Sequence, residues 1–193
     1  MTAMNSPVGL AYDSNWSLYI AETGNDLIRR IDGTTSIVST YVSSLCDPIG
    51  ISMDAQDGLY VAQYSSNNVV YITRSGSTTS SHVVAGSGVG GNGGDGGLAV
   101  NAQLCGPAGV AIDTVNNLLY IADFGNGRVR VVSLSTGYIT TYMGTSSQAY
   151  TVDGLTPAST TLEYPRGVTV SSSGVLYVID TYHNTIRQVN CGY

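Results

Sequence analysis

The sequence predicts an all-β chain folded as a β-propeller of four blades, and three observations predict it. A Pro-x-Gly opening followed by a Leu-Tyr pair occurs four times: PVGLAYDSNWSLYIAETGNDLIRRI from Pro7, PIGISMDAQDGLYVAQYSSNNVVYI from Pro48, PAGVAIDTVNNLLYIADFGNGRVRVV from Pro107 and PRGVTVSSSGVLYVIDTYHNTIRQV from Pro165. The spacing is kept, since Pro7 to Tyr19, Pro48 to Tyr60 and Pro165 to Tyr177 are equal and Pro107 to Tyr120 is longer by one residue, an insertion in a turn. Within each unit, short β-prone runs alternate with Gly, Asn, Asp and Ser turns. Several short strands per unit, repeated along a chain, is the pattern of propeller blades.

The elements of a unit follow in order. An apolar run after Pro-x-Gly, residues 8–12 in the first unit, reads as a buried strand. An Asp- or Ser-rich turn leads to L-Y-[IV]-[AI], the second strand, and a Gly/Asn turn at 23–26 or 124–127 follows it. The third strand alternates as in residues 128–132, and a Thr/Ser-rich stretch such as TGYITTYMG at 136–144 closes the unit. A period of two places Val110, Ile112, Leu119 and Ile121 in the core and aims Tyr120 to the other side of its strand. The units occupy about 7–44, 48–86, 107–145 and 165–193, and 1–193 reads as one propeller domain.

The stretch GVGGNGGDGGLAVNAQLCGP, residues 88–107, resembles a calcium-binding nonapeptide or a phosphate cradle at first sight. Gly97, however, stands where the calcium pattern needs a large apolar residue, and the nonapeptide occurs once where β-rolls stack several copies. A phosphate loop needs a following helix in a βαβ unit, and none is present. Asp95-Gly96 precedes Leu104 and Pro107 by the same spacing that separates Asp153-Gly154 from Leu162 and Pro165. The stretch is therefore a connector from an outer strand to the next inner strand, with a short helical turn over 98–104 that buries Leu104 and a Gly-rich part that tolerates shortening.

Composition excludes several functions. The chain has 193 residues with a net charge of -6, 10% charged residues and seven basic residues. All of the basic residues are Arg, so no basic face exists to neutralise phosphates, and nucleic acid is not a partner. No apolar run approaches the ~20 residues of a membrane span, and membrane insertion is not expected. A Lys-free surface of Ser, Thr, Asn, Gly and Tyr suits an extracellular, secreted protein, although no signal peptide is visible. Asn15-Trp16-Ser17 is an N-glycosylation sequon, placed in a turn on the face opposite the Gly/Asn turns. Cys46, Cys105 and Cys191 form no C-x-x-C pair, which leaves Cys46 and Cys105 as small buried hydrophobes and Cys191 as a free or inter-chain thiol.

The pattern P-x-G-[VLI]-A-x-D … L-Y-I-A-[DE]-x-G-N-x-x-[IV]-R-x-[IV] resembles the NHL repeat, the blade unit of NHL β-propellers. Units one and three follow it closely; unit two carries Gln63, Val70 and Tyr71 in place of the acid and both arginines, and unit four carries Ser171 for the first Asp. The resemblance implies either a complete four-blade unit or an arc of a larger propeller, typically of six blades. It also brings alternatives, a lyase or lactonase with a channel-sited centre and an RNA-binding module. Lyases of this kind line the channel with several His residues, and this chain has only His82, in an outer strand, and His183, in a turn.

Candidate residues recur by blade. Glu22, Asp123 and Asp180 end the second strand, one per blade and far apart, so each reads as a structural acceptor for N–H groups of its own Gly/Asn turn rather than as half of an acid-base pair. The turn tips bring Tyr64, Phe124, Tyr182 and His183 to one face beside the long connectors. They form either a protein or glycan platform or ordinary packing against the neighbouring connector. The expectation is a non-enzymatic scaffold or recognition module with no cofactor and no metal. Its ends do not match: Met4 reads as the tail of a connector, and no fourth strand follows residues 185–189, which leaves open blade edges through which the chain would self-assemble, with Cys191 near the junction.

Overall fold

A computed structural model describes residues 3–76, 78–145 and 154–190. Blade one pairs β1 (Pro7–Tyr12), β2 (Leu18–Glu22), β3 (Leu27–Ile31) and β4 (Val38–Ser43) in an antiparallel meander. Blade two does the same with β5 (Pro48–Met53), β6 (Leu59–Gln63), β7 (Asn68–Ser75) and β8 (Thr78–Ala85). Blade three uses β9 (Pro107–Asp113), β10 (Leu118–Asp123), β11 (Arg128–Ser133) and β12 (Ile139–Met143). Blade four has three strands among the described residues, β13 (Pro165–Val170), β14 (Val175–Asp180) and β15 (Thr185–Asn190).

The opening strands β1, β5, β9 and β13 pack side by side around a common axis. The glycine of Pro-x-Gly makes this possible: a Cβ on Gly50 would lie 2.5 Å from the Ala108 carbonyl oxygen, and one on Gly109 would lie 2.8 Å from that of Arg166. The strands line an opening of ≈ 410 Å³ with Val8, Ile49, Ala108 and Arg166, and Ile179 of β14 joins its wall. Between β13 and β1 the corresponding packing is absent among the described residues, so blades one and four each keep a free face.

Each internal blade buries both faces. In β10, Leu119 and Ile121 pack towards blade two with Val110, while Tyr120 points the other way and is itself buried against blade four. Ile112 packs on the same cluster but stays half-buried. Leu45, Leu104 and Leu162, the apolar residues three before each Pro, are buried between blades. The expected helical turn is shorter than 98–104, a single 3-10 turn at Ala99–Asn101.

The Gly-rich connector is more firmly held than its composition predicts. Gly96 N–H donates to the Ile139 carbonyl (2.8 Å), Ile139 N–H donates to that of Gly97 (3.0 Å) and Ala99 N–H to that of Gly137 (2.8 Å), so the segment runs along the outer strand β12. Asp95 takes two bonds from Arg130, at 2.7 and 3.1 Å, and one from the Thr141 hydroxyl at 2.7 Å. Its carboxylate is engaged by protein donors, and shortening that removes it breaks these contacts.

Cys46 is exposed, against the expectation of a buried thiol, because its segment passes over the blade face with the neighbouring Leu45 turned inward. Cys105 is half-buried. Cys191 lies outside the described residues.

Candidate functional site

The three carboxylates prove to be fully buried structural acceptors, but the backbone they hold is not that of their own turns. Asn5 N–H donates to Glu22 (2.9 Å), Cys105 N–H to Asp123 (2.8 Å) and Glu163 N–H to Asp180 (2.8 Å). Each donor belongs to the segment leading into the same blade, where no secondary-structure partner is available to it. The adjoining turn contributes a side chain instead: Asn25 donates to Glu22 at 2.7 Å, Asn126 to Asp123 at 2.8 Å, and His183 Nδ1 lies 2.8 Å from Asp180. An arginine from the third strand completes each cluster, with Arg29 2.8 Å from Glu22, Arg130 3.5 Å from Asp123 and Arg187 3.2 Å from Asp180.

Blade two keeps the geometry without charge. Gln63 accepts from Cys46 N–H at 2.9 Å and donates to Asn68 Oδ1 at 2.9 Å, so one amide does what the carboxylate does elsewhere. Acid and arginine have been lost together there, since Val70 occupies the arginine position.

Electrostatics separates two equivalent carboxylates. Burial pushes Glu22 up, but the Asn5 N–H, Arg29 and Asn25 outweigh it and hold the carboxyl below its ordinary value. At Asp123 burial prevails over the bonds from Asn126, Cys105 and Arg130, and the carboxyl is raised. Arg130 is shared with Asp95, which it meets more closely.

His183 is accordingly not a platform residue. Its ring is nearly buried, takes the place of Asn25 and Asn126 in the cluster, and brings Nε2 to 3.7 Å from Glu163. The other three candidates do come together, and a fourth ring joins them. Tyr64 meets Phe124 at a centroid distance of 5.9 Å, Phe124 meets Tyr164 at 4.9 Å, and Tyr164 meets Tyr182 at 4.7 Å. Tyr164 lies in the lead-in to blade four, just before Pro165 and outside the aligned repeats. The row crosses blades two, three and four, and Tyr182 at its end is 63% exposed. Arg166 lays its guanidinium 5.7 Å from the Phe124 centroid, and among the described residues it forms no ion pair. A small hollow beside the row is lined by residues 124–127 and 162–164. Asn15 is exposed in the turn between β1 and β2, at the opposite end of the blade.

Among the described residues no cluster of three or more His, Cys, Asp or Glu side chains has the arrangement of a metal site, and no helix is long and apolar enough to cross a membrane.

The teneurin NHL domain model matches residues 2–159, and the NHL repeat model matches residues 162–189. The chain is similar to NHL repeat-containing protein 2 of Bos taurus, 36% identical over 92 residues, which is 47% of this chain and 12% of that relative. Among solved structures it superposes on an auxiliary nutrient binding protein from Bacteroides thetaiotaomicron with a TM-score of 0.76 at 15% identity, covering 93% of this chain and 46% of the other. It also superposes on a catalytically inactive virginiamycin B lyase from Staphylococcus aureus, with a TM-score of 0.61 at 16% identity, covering 100% of this chain and 58% of the lyase. At these identities the likeness shows the fold. The chain thus spans about half the length of the propeller structures it matches and a small part of the curated relative.

Proposed function

Because this chain belongs to the teneurin NHL domain family, we propose that it is a non-enzymatic recognition module, exposed outside the cell, whose aromatic row receives a segment of a partner protein. The observation that carries this reading is the continuity of the row. Four rings from three blades lie in a continuous row, with one T-shaped and two tilted contacts, and aromatic side chains in such a setting supply large contact area at small conformational cost. Arg166 beside Phe124 favours a segment that pairs apolar side chains with a carboxylate. The Lys-free surface supports the extracellular placement.

The test is a peptide-display selection against the purified protein, run beside a glycan array. Tyr182→Ala and Arg166→Ala, each checked for an unchanged circular dichroism spectrum, are expected to weaken selected peptides roughly 10-fold or more, the scale of an interface hot spot. Selected peptides whose hydrogen-exchange footprint misses the row, or binding confined to the glycan array, would overturn the reading.

A further inference from the structure

A cleft of ≈ 400 Å³ opens between blades two and three, among the turns that join first to second strands and so at the end of the blades opposite the aromatic row. Its size falls in the range of small-molecule sites, roughly 300–1,000 Å³. Each of these two blades is flanked by a further blade on its other side, so both walls are held by packed structure. The wall from blade two is aromatic: Tyr71 meets Tyr60 at a centroid distance of 4.6 Å and His82 at 5.6 Å. Blade three supplies an aliphatic wall from Ile112 of β9 and Leu134, the residue that follows β11.

One exchange of residues sets the chemistry of this cleft. In blade one the Tyr of the Leu-Tyr pair spends its hydroxyl on the turn carboxylate, Tyr19 donating to Asp13 at 3.1 Å. Arg30, across the ladder from Tyr19, donates to the Ser17 hydroxyl at 2.7 Å. In blade two Tyr71 stands at the Arg30 position and Gly58 at the Ser17 position. The glycine makes the exchange possible, since a Cβ there would collide with the Tyr71 hydroxyl. Tyr71 then donates to Asp54 at 2.7 Å, and the N–H groups of Gln56 and Gly58 donate to the other carboxylate oxygen at 2.9 and 2.8 Å. Tyr60 is left out. It is 6% exposed and lines the cleft, and among the described residues its hydroxyl makes no hydrogen bond. Burial, with the Asp54 charge nearby, pushes this phenol up to about 12, so at neutral pH it keeps its proton and is a donor.

We propose that this cleft binds an uncharged small molecule built on a flat ring, whose oxygen acceptor takes the hydrogen bond of the Tyr60 hydroxyl. The ring lies between the Tyr60 and Tyr71 wall and the aliphatic side chains of Ile112 and Leu134. Asp54 repels an anion, and a cation finds that carboxylate already engaged by three donors. The equivalent cleft between blades one and two differs in kind, because Arg30, Arg74, Asp13 and Asp57 line it. The site is separate from the aromatic row, and its occupancy does not depend on the recognition of a protein segment there.

The test is an amide-resolved NMR titration of the 193-residue chain with three probes of similar size. They are acetophenone, α-methylstyrene, in which a methylene replaces the carbonyl oxygen, and phenyltrimethylammonium. Acetophenone is expected to give saturable shifts confined to the residues around the cleft, and to bind roughly 3–10-fold more tightly than α-methylstyrene, the scale of one hydrogen bond. Tyr60→Phe is expected to remove that preference. Its hydroxyl has no partner in the protein, so the variant is also expected to be as stable as wild type in urea. Thr114→Trp, at an exposed position on the rim, is expected to stay folded by circular dichroism and to lose binding of all three probes. The absence of saturable shifts at the cleft, tighter binding of the ammonium probe, or a Tyr60→Phe protein that keeps the preference would overturn the proposal. So would a Tyr60→Phe protein that unfolds more readily than wild type, or a folded Thr114→Trp protein that still binds acetophenone.

Discussion

Replacing Arg130 with Val separates the buried cluster of blade three from its charge. Arg130 is fully buried, reaches Asp95 at 2.7 Å, the Gln103 carbonyl at 3.2 Å and Asp123 at 3.5 Å, and Asp123 is itself fully buried. Removing the cation leaves the Asp123 carboxylate with the Cys105 N–H and the Asn126 amide but no opposing charge. Breaking a buried pair from one side typically costs about 3–5 kcal/mol. For a chain of this length that lowers the melting temperature by about 6–20 °C. Blade two supplies the control, since its Gln63 and Val70 are the uncharged version of the same pair. In the Asp123→Gln background, Arg130→Val is expected to cost at least about 1 kcal/mol less than it does alone, a coupling of the size seen between contacting residues. The assay is urea unfolding of the four members of the cycle, followed by circular dichroism and by tyrosine fluorescence, whose coincidence tests two-state behaviour. A single substitution costing under about 1 kcal/mol, or a cycle with no coupling, would refute the assignment of Arg130 as the counter-charge.

Ile121→Ala, at a fully buried site in β10, is expected to cost about 2–5 kcal/mol in the same urea assay, and a near-neutral result would mean that the register of β10 is wrong. Glu22, held below its ordinary 4.5, contributes stability that is present above that value and lost as pH falls through the folded one; Glu22→Gln should therefore be less stable than wild type at neutral pH, with the gap closing in acid. Asp123 has the opposite sign: its raised carboxyl contributes stability that is present below its ordinary 3.8 and lost as pH rises through the folded value, so Asp123→Asn should gain on wild type across that rise. Cys46 is expected to react with Ellman's reagent in the native protein well before Cys105, as their exposures dictate, and equal rates would contradict the placement of residues 45–47.

What the sequence disclosed depends on how far apart the interacting groups lie along the chain. Strand order and the alternating core of β10 follow from a period of two and from turn residues, all of which act over a few neighbours. The buried connector leucines followed from a fixed offset to Pro. The role of Glu22, Asp123 and Asp180 was half legible: recurrence once per blade marked them as structural, but their donors in the lead-in segments are too distant for turn chemistry to suggest. Of the two readings open for His183, platform or packing, the structure shows packing, since the Asn position it takes turns inward to the carboxylate in Asn25 and Asn126 as well. Tyr164 is unmarked in the sequence because it belongs to no repeat position with an aromatic counterpart, and only packing shows that it bridges Phe124 and Tyr182.

The reach of those buried acceptors has a consequence for how the protein comes off the ribosome. Glu22 binds Asn5, Gln63 binds Cys46, and Asp180 binds Glu163, each across 17 residues, and Asp123 binds Cys105 across 18. Loops of that size close at small entropic cost. A blade therefore ties down its own leading segment as soon as its second strand has been synthesised, without waiting for a later blade. Translation at about 5–20 residues per second gives each blade seconds to form before the next one emerges. All-β folds with distant pairings fold slowly and expose unpaired strands meanwhile; this chain is wired so that little more than one blade's worth of strand is ever nascent and unpaired.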